Sequence, residues 1–342
     1  MSFTYLQAMP SPKEVQEKLP LPAPYHALKA ERDAMIRDVF EGKSSKFILI
    51  IGPCSADNET AVVDYSVRLS RAAEKVKDKI LVIPRVYTNK PRTTGMGYKG
   101  MLHQPDPEKK QDLEAGLFAI RRMHIDVIKE SGLTPADEML YPENHSYMDD
   151  VLSYVAVGAR SVEDQLHRMV ASGVDIPVGM KNPTSGDFGV MINSITAAQA
   201  PQMFIYRNSE VETSGNEHAH AVLRGAVNKH GQFIPNYHYE DLMRIARIYD
   251  TKELKNPAVI VDTNHSNSGK MYLEQIRIAK EVMHSRRHCK DVEKLVKGLM
   301  IESYIEPGCQ KVGEHTYGKS ITDPCLGWDD TERLIYEIAE LI

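Results

Sequence analysis

A short basic run, Lys90-Pro91-Arg92-Thr93-Thr94, follows an apolar segment that ends near Tyr87. Proline fixes its own φ dihedral and biases the residue before it toward extended backbone, so two cations flank a stiff turn. Arginine can hold a phosphate or carboxylate through two parallel hydrogen bonds, and threonine adds a hydroxyl donor. We therefore expect an anion-binding site at Lys90, Pro91, Arg92 and Thr93. A solvated basic turn would have the same composition.

Further cations lie in or near other apolar segments: Arg85, Arg160, Lys181 and Arg224. The chain as a whole has a formal net charge of −5, which argues against a nucleic-acid surface built from concentrated Lys and Arg. Cations gathered in one cleft repel one another unless an anion occupies it. We therefore expect small-molecule ligands that carry several negative charges.

A second set of residues has the chemistry of a metal site: Cys54, His265, Glu302 and Asp323. A thiolate, an imidazole and two carboxylates together suit Mn²⁺, Fe²⁺, Co²⁺ or Zn²⁺. Taken singly, the cysteine, histidine and aspartate also have ordinary roles as buried or capping residues. Glu302 is more informative, because it lies in the apolar run Leu299–Ile305, where a buried carboxylate needs a cation or a shifted pKa.

Short apolar runs separated mostly by segments of helical period predict the fold. The predicted strands are Phe47–Cys54, Ile80–Tyr87, Asp137–Glu143, Tyr154–Arg160, Ile176–Asn182, Gln202–Arg207, Ala258–His265 and Gly298–Ile305. The alternation of strand and helix indicates parallel pairing, and this number of units favours a (β/α)₈ TIM barrel, an α/β fold. An open dinucleotide-binding sheet is less favoured, because Gly52-Pro53-Cys54-Ser55 is not a Gly-rich nucleotide turn.

The barrel prediction also gives the domain organisation and the place of the site. We expect residues 1–46 to form a short N-terminal arm with a helix near Tyr25–Phe40, and residues 47–342 to form the catalytic barrel. Catalytic residues of such barrels lie at the carboxyl ends of the strands. The candidate anion and metal ligands lie in or after predicted strands, so we expect them to meet at that mouth.

Composition excludes other classes of protein. Hydrophobic residues at 42% and charged residues at 26% are typical of a globular domain with an ample core. The segment Met1–Lys13 has no signal-peptide pattern, and the strand Phe47–Ile51 is too short to cross a bilayer, so we expect a cytoplasmic protein without membrane contact. Four scattered cysteines show no disulfide framework and are expected to be free thiols.

Ten motifs, in this order along the chain, resemble those of type I 3-deoxy-D-arabino-heptulosonate 7-phosphate (DAHP) synthases. They are Gly52-Pro53-Cys54-Ser55, Arg85-Val86-Tyr87, Lys90-Pro91-Arg92-Thr93-Thr94-Gly95, Gly158-Ala159-Arg160, Gln165-Leu166-His167-Arg168, Pro177-Val178-Gly179-Met180-Lys181-Asn182, Thr213-Ser214-Gly215-Asn216, Leu223-Arg224-Gly225, Ile301-Glu302-Ser303 and Tyr317-Gly318-Lys319-Ser320-Ile321-Thr322-Asp323. The resemblance runs from about residue 25 to the C-terminus. An ordered set of this kind is far more specific than any one of its motifs.

The resemblance implies a metal-dependent condensation of phosphoenolpyruvate with D-erythrose 4-phosphate and water, the first step of the shikimate pathway to aromatic amino acids. The implied ligands are Arg85, Arg160, Lys181 and Arg224 for phosphoenolpyruvate, Lys90, Pro91, Arg92 and Thr93 for erythrose 4-phosphate, and Cys54, His265, Glu302 and Asp323 for one divalent transition metal ion. Lys90, Cys54 and His265 would take part in catalysis, with Glu138 as the candidate base for water. No organic cofactor is expected. A homodimer or homotetramer is implied, whereas nothing in the residues supports chorismate mutase as a partner.

Two alternatives remain open. The first is a sister synthase that joins phosphoenolpyruvate to another aldose phosphate such as arabinose 5-phosphate. Tyr304, which replaces a histidine of many relatives, and the variant context Asp262-Thr263-Asn264-His265 leave the acceptor open. The second is a non-catalytic barrel that senses a ligand or binds chorismate mutase, which predicts a missing site residue, yet all are present.

Regulation is a separate expectation. In feedback-inhibited members of the family, an N-terminal arm and an extension between the sixth strand and the following arginine form an aromatic amino acid site. Here the arm is short, and the segment Asn208–Ala221 is more compact than the hairpin expected for such a site. Both features argue against feedback inhibition.

Overall fold

A computed structural model describes residues 2–92 and 95–342 of the chain. Its strands, in chain order, are β1 (Phe47–Gly52), β2 (Ile80–Pro84), β3 (Ala136–Glu138), β4 (Tyr154–Val157), β5 (Val178–Lys181), β6 (Met203–Tyr206), β7 (Ser209–Glu212), β8 (His220–Leu223), β9 (Ala226–Val227), β10 (Phe233–Ile234), β11 (Val259–Asp262) and β12 (Val296–Glu302). Thr93 and Thr94, part of the basic run, lie outside the described residues.

Eight of these strands form one parallel sheet in the order β2-β1-β12-β11-β8-β5-β4-β3. The two edge strands meet through a parallel bridge between Arg85 and Ala136, where the Val86 amide donates to the Ala136 carbonyl at 2.9 Å. The sheet therefore closes on itself, and the predicted (β/α)₈ barrel is confirmed.

Helices cover the outside of the sheet. They are α1 (Pro12–Lys18), α2 (Pro24–Phe40), α3 (Glu59–Val76), α4 (Leu113–Ser131), α5 (Gln165–Ala171), α6 (Phe188–Gln199), α7 (Tyr239–Lys252), α8 (Glu274–His288), α9 (Lys290–Leu295) and α10 (Trp328–Leu341), with a 3₁₀ helix at Pro142–Tyr147. Several begin at a capping side chain; for example, Asn58 accepts a hydrogen bond from the Ala61 amide at 3.0 Å. Among the described helices, none is long and apolar enough to cross a membrane.

The N-terminal helix α2 closes the bottom of the barrel. Its Ile36 and Phe40 pack with the inward-facing side chains of the strands, including Ile48 and Ile260, in one buried cluster. Its Arg32 donates to the Val82 carbonyl at 2.5 Å. Because this end is filled, the opposite end of the barrel is left as the mouth.

The sixth strand of the barrel is not the predicted one. The run Gln202–Arg207 forms instead the first strand of a surface hairpin, in which β6 pairs antiparallel with β7, and the barrel strand is β8. Met203 and Ile205 are 67% and 78% exposed, and only the alternate residues Phe204 and Tyr206 pack partly against the core. The buried strand β8 was missed because its apolar part is short and it begins at His220.

A hairpin does form before Arg224, within residues 203–212, so the expectation that this part of the chain is too compact for one is wrong. The third strand is also shorter than predicted. It ends at Glu138, and Pro142 begins a 3₁₀ helix where the prediction continued the strand to Glu143.

Candidate functional site

A cavity of about 400 Å³ lies at the carboxyl ends of the barrel strands. Its lining includes the predicted site residues Cys54, Arg85, Lys90, Pro91, Arg92, Glu138, Arg160, Lys181, Arg224, His265 and Asp323. Glu302 is fully buried at the end of β12, within reach of several of them. Residues spread over 270 positions of the chain thus converge at one mouth, as the barrel prediction requires.

Two buried cations in this cavity are paired with buried acids. Arg85 Nη2 donates to Glu302 Oε1 at 2.6 Å, while its Nη1 is buried without a partner among the described residues. Lys181 Nζ lies 3.4 Å from Asp262 Oδ2 and 4.0 Å from Glu138 Oε2. The unpartnered Arg85 nitrogen needs an acceptor, which an anionic ligand would supply.

A buried tyrosine lies beneath three of the cations. The ring centroid of Tyr87 is 4.0 Å from Arg85 Cζ, 5.7 Å from Lys181 Nζ and 5.9 Å from Lys90 Nζ. An aromatic face attracts a cation without neutralising it. Tyr87 therefore helps to hold positive charge in the cavity and leaves it available to a ligand.

The basic run lies where the first two strands of the barrel end. Lys90 Nζ donates to the Cys54 carbonyl and lies 3.3 Å from Cys54 Sγ. Arg92 Nε donates to the Tyr98 carbonyl at 2.6 Å, and among the described residues no hydrogen bond holds its other nitrogens. Lys90 thus faces the candidate metal ligands, and Arg92 lies farther out.

Three of the four candidate metal ligands are close together. One ligand atom each from Cys54, Glu302 and Asp323 lies within 4.8 Å of the other two. His265 is outside that group, but its Nε2 is 3.8 Å from Glu302 Oε1. Sulfur, carboxylate oxygen and imidazole nitrogen fit a first-row divalent ion, so the donor set agrees with the predicted metal.

Burial and neighbouring charges have opposite effects on two candidate metal ligands: Glu302 stays ionised, and the Cys54 thiol is harder to ionise. Burial alone would raise the pKa of Glu302, but Arg85 and His265 lower it to about 2. Burial and the charge of Glu302 raise the pKa of the Cys54 thiol. A bound cation would reverse that effect on Cys54, because metal coordination stabilises the thiolate.

His265 sits in a constrained turn after β11. Its φ of 51° is uncommon for a residue with a side chain, and its Nδ1 lies 2.9 Å from Asp262 Oδ2. Burial acts to raise the pKa of Asp262, yet His265 and Lys181 hold it well below its usual range. The Asp262 carboxylate therefore lies next to Nδ1 of the imidazole, and the other ring nitrogen, Nε2, lies 3.8 Å from Glu302 Oε1.

Glu138, the candidate base, is packed tightly at the end of β3. A Cβ added at Gly158 would be 2.6 Å from Glu138 Oε1, so a side chain there would displace the carboxylate from this position. Glu138 Oε2 is 4.0 Å from Lys181 Nζ. The carboxylate thus lies at the wall of the cavity, beside the predicted phosphoenolpyruvate ligands.

Sequence reasoning did not assign several residues of the site. They are Tyr87, Asp262, Val227, Phe233 and Lys270. Asp262 ends an apolar strand, which was a usable signal for a functional position. Val227 and Phe233 belong to the small hairpin β9–β10, whose only signal was the Asn228–Gln232 turn between two apolar pairs.

Comparison with known proteins identifies the family. Residues 20–335 match the model of the DAHP synthetase I family. The chain is 34% identical over 341 residues to the Tyr-sensitive phospho-2-dehydro-3-deoxyheptonate aldolase of Salmonella typhimurium, covering 97% of this chain and 92% of the relative. It is 35% identical over 351 residues to the Phe-sensitive enzyme of Escherichia coli, covering 96% of each.

A solved structure gives the same result. The phospho-2-dehydro-3-deoxyheptonate aldolase of Francisella tularensis superposes with a TM-score of 0.92 at 28% identity, covering 100% of this chain and 98% of that one. Fold, family match and curated relatives agree over nearly the whole length. The chain belongs to the DAHP synthetase I family.

Proposed function

We propose that this chain condenses phosphoenolpyruvate with D-erythrose 4-phosphate and water to give DAHP and phosphate. The observation that carries the proposal is one cavity lined by several cations and by members of a cluster of metal-type ligands. Both substrates are anions, and holding them together offsets their mutual repulsion. Orientation of two bound reactants can lower a barrier by up to about 7 to 11 kcal/mol.

The phosphoenolpyruvate half is formed by Arg85, Arg160, Lys181 and Arg224. The support is their position around one side of the cavity and the unpartnered nitrogen of Arg85. Planar guanidinium groups suit the phosphate and carboxylate of this substrate.

The acceptor half is formed by Lys90, Pro91 and Arg92, together with Thr93, which is outside the described residues. Arg92 would bind the sugar phosphate. Lys90, close to the Cys54 carbonyl, would face the aldehyde and protonate or stabilise its oxygen as the new bond forms.

Cys54, His265, Glu302 and Asp323 would hold one divalent ion, with Mn²⁺, Fe²⁺, Co²⁺ and Zn²⁺ as the candidates. When bound, the ion would act as a Lewis acid on the acceptor carbonyl. The support is the donor set and its closeness, together with Asp262 behind His265.

Side chains of the cavity would assist the remaining steps of the reaction. C3 of phosphoenolpyruvate forms the bond to the aldehyde carbon, which leaves C2 electron-deficient. Water then adds to C2 and loses a proton, for which Glu138 is the proposed base, and the C2–O bond to phosphate breaks. Arg160 and Arg224 would hold the phosphate as it leaves.

The test follows the loss of phosphoenolpyruvate absorbance with purified protein. We expect consumption with erythrose 4-phosphate, abolition by EDTA and recovery with Mn²⁺. A parallel reaction with arabinose 5-phosphate tests the acceptor, and faster turnover of that sugar would contradict the proposed one. Full activity in EDTA would contradict the metal.

A second function, inhibition by an aromatic amino acid, is favoured by the surface hairpin that the sequence prediction missed. A cavity of about 220 Å³ lies between this hairpin and the 3₁₀ helix region, with Phe204, Tyr206 and Val211 among its lining. The relatives named above are described as Tyr-sensitive and Phe-sensitive. Assays with Tyr, Phe and Trp test this proposal, and activity unchanged by all of them would contradict it.

We further propose that residues 1–46 form an arm that precedes a catalytic barrel of residues 47–342, and that the protein assembles as a homodimer or homotetramer in the cytoplasm. The exposed Met203 and Ile205 support self-association, since such side chains are often covered in assemblies. Sedimentation velocity tests the assembly, and a monomer at assay concentration would contradict it. No observation favours chorismate mutase as a partner.

A further inference from the structure

The small hairpin β9–β10 follows directly after Arg224 and Gly225. Its two strands pair antiparallel, with Phe233 opposite Val227 and Ile234 opposite Ala226. The turn between them is closed by Asn228, whose Oδ1 accepts from the His230 and Gln232 amides at 2.9 and 3.0 Å. The hairpin is therefore an ordered element attached to a proposed ligand of phosphoenolpyruvate.

Three buried asparagines fasten the base of the hairpin to the strand ends of the barrel. The Gly225 amide donates to Asn236 Oδ1 at 2.8 Å, and Asn236 Nδ2 donates to Asn182 Oδ1 at 3.0 Å. The Asn236 amide donates to Asn267 Oδ1 at 2.9 Å. Asn182 and Asn267 lie next to Lys181 and close to His265, so the hairpin is fixed relative to the site.

The two faces of the hairpin border different spaces. Val227 and Phe233 line the substrate cavity, whereas Ala226 and Ile234 line a separate cavity of about 200 Å³. Successive residues of a strand point to opposite sides, which explains the division. Phe233 and Ile234 are neighbours in the chain and are nearly equally exposed, at 42% and 45%, but they line different cavities.

Phe233 is an apolar side chain among cations. The cavity that it lines also includes Arg160, Arg224 and Lys270, and its Cδ2 would be 3.6 Å from a Cβ built at Gly269. The hairpin continues from Arg224 after β8, whereas the basic run follows β2, four strands away in the closed sheet of eight. The hairpin therefore begins beside Arg224, at a strand opposite the one that leads to Arg92.

We propose that Val227 and Phe233 form an apolar wall that contacts bound phosphoenolpyruvate and excludes water from Arg160, Lys181 and Arg224. The proposal rests on the function proposed above and assigns specificity-determining residues to its donor half. Charge interactions strengthen when water is excluded, so the wall raises the affinity for the anion without supplying a charge. The acceptor half, on the other side of the mouth, does not depend on it.

The test compares Phe233→Ala with Ile234→Ala, a matched control that removes an equally exposed apolar side chain from the other face. Binding of phosphoenolpyruvate is measured by calorimetry in Mn²⁺ buffer at two salt concentrations, and KM is measured for both substrates. We expect Phe233→Ala to weaken phosphoenolpyruvate binding by about tenfold, from about 60 Å² of lost apolar contact. We also expect a steeper salt dependence, because a wetter site is screened more strongly.

The other expected results separate the wall from a general structural effect. KM for erythrose 4-phosphate should change by less than about twofold, Phe233→Leu should restore most of the binding, and Ile234→Ala should match the wild type. Equal loss for both substrates, or equal effects of Phe233→Ala and Ile234→Ala, would overturn the inference. Failure of the wild type to bind phosphoenolpyruvate would instead overturn the proposed function.

Discussion

Tyr87 gives the sharpest test of how this barrel holds positive charge. Its buried ring lies under Arg85, Lys181 and Lys90, at 4.0, 5.7 and 5.9 Å from the centroid. The perturbation is made in two steps, Tyr87→Phe and then Phe to Leu at the same position. The first step keeps the ring and removes only the hydroxyl, which makes one contact at 3.6 Å to Met300 Sδ. The second step removes the ring.

The magnitude follows from the three distances. A desolvated cation–π contact is worth about 2 kcal/mol, and the two more distant lysines would each contribute about 0.5 kcal/mol. Loss of the ring should therefore cost about 3 kcal/mol beyond the cost of the smaller side chain. Tyr154 supplies that reference, because its ring is also fully buried inside the barrel and no cation lies over it among the described contacts.

The assay is urea unfolding of four variants, with Phe or Leu at position 87 and with Phe or Leu at position 154. Their free energies of unfolding are compared where the m values are equal. The Phe-to-Leu step should lower the free energy of unfolding by about 3 kcal/mol more at position 87 than at position 154. KM for phosphoenolpyruvate should rise only in the Leu variant at position 87. Equal costs of the step at the two positions would refute a role of the ring in holding the cations.

Three further outcomes are expected. Arg160→Ala should raise KM for phosphoenolpyruvate about 10- to 100-fold, which corresponds to the free energy of one lost charged hydrogen bond. Unchanged kinetics would show that Arg160 does not bind this substrate. Cys54→Ser should lower the bound Mn²⁺ measured by elemental analysis and the thermal shift that Mn²⁺ gives; full metal content would exclude Cys54 as a ligand. Asp137 has a pKa raised to about 7 by burial, despite hydrogen bonds from Thr88. A raised carboxyl pKa favours the folded state at low pH, so this contribution is lost as pH rises from about 4 to 7. Asp137→Asn should flatten stability against pH over that window, and an unchanged slope would contradict the assignment.

Much of the fold could be predicted because buried parallel strands are almost continuous apolar runs. Phe47–Ile51 and Leu299–Ile301 stand out for this reason, and Glu302 was recognisable as a carboxylate at the end of such a run. The same rule failed at the sixth strand. The run at Met203–Tyr206 is as apolar as a barrel strand, and only its exposed, alternating placement in the hairpin distinguishes it from β8.

The site could be predicted only as a set of residues. Strand ends predict which side chains share the mouth, but not which of them pair there. The contact between Arg85 and Glu302 joins a predicted substrate ligand to a predicted metal ligand, and Asp262 links Lys181 to His265 in the same way. Such pairings depend on how the strand ends are placed relative to one another, which residue types and spacing do not encode.

These pairings decide which cations a ligand can use. Arg85 and Lys181 already have buried acidic neighbours, so part of their charge is compensated within the protein. Among the described residues, no acidic side chain forms an ion pair with Arg92, Arg160 or Arg224. The three arginines follow β2, β4 and β8, and β2 lies opposite β8 in the closed sheet. Uncompensated positive charge therefore faces the cavity from both sides, with the candidate metal ligands between. Two phosphorylated substrates, as in the function proposed above, would supply negative charge to both sides.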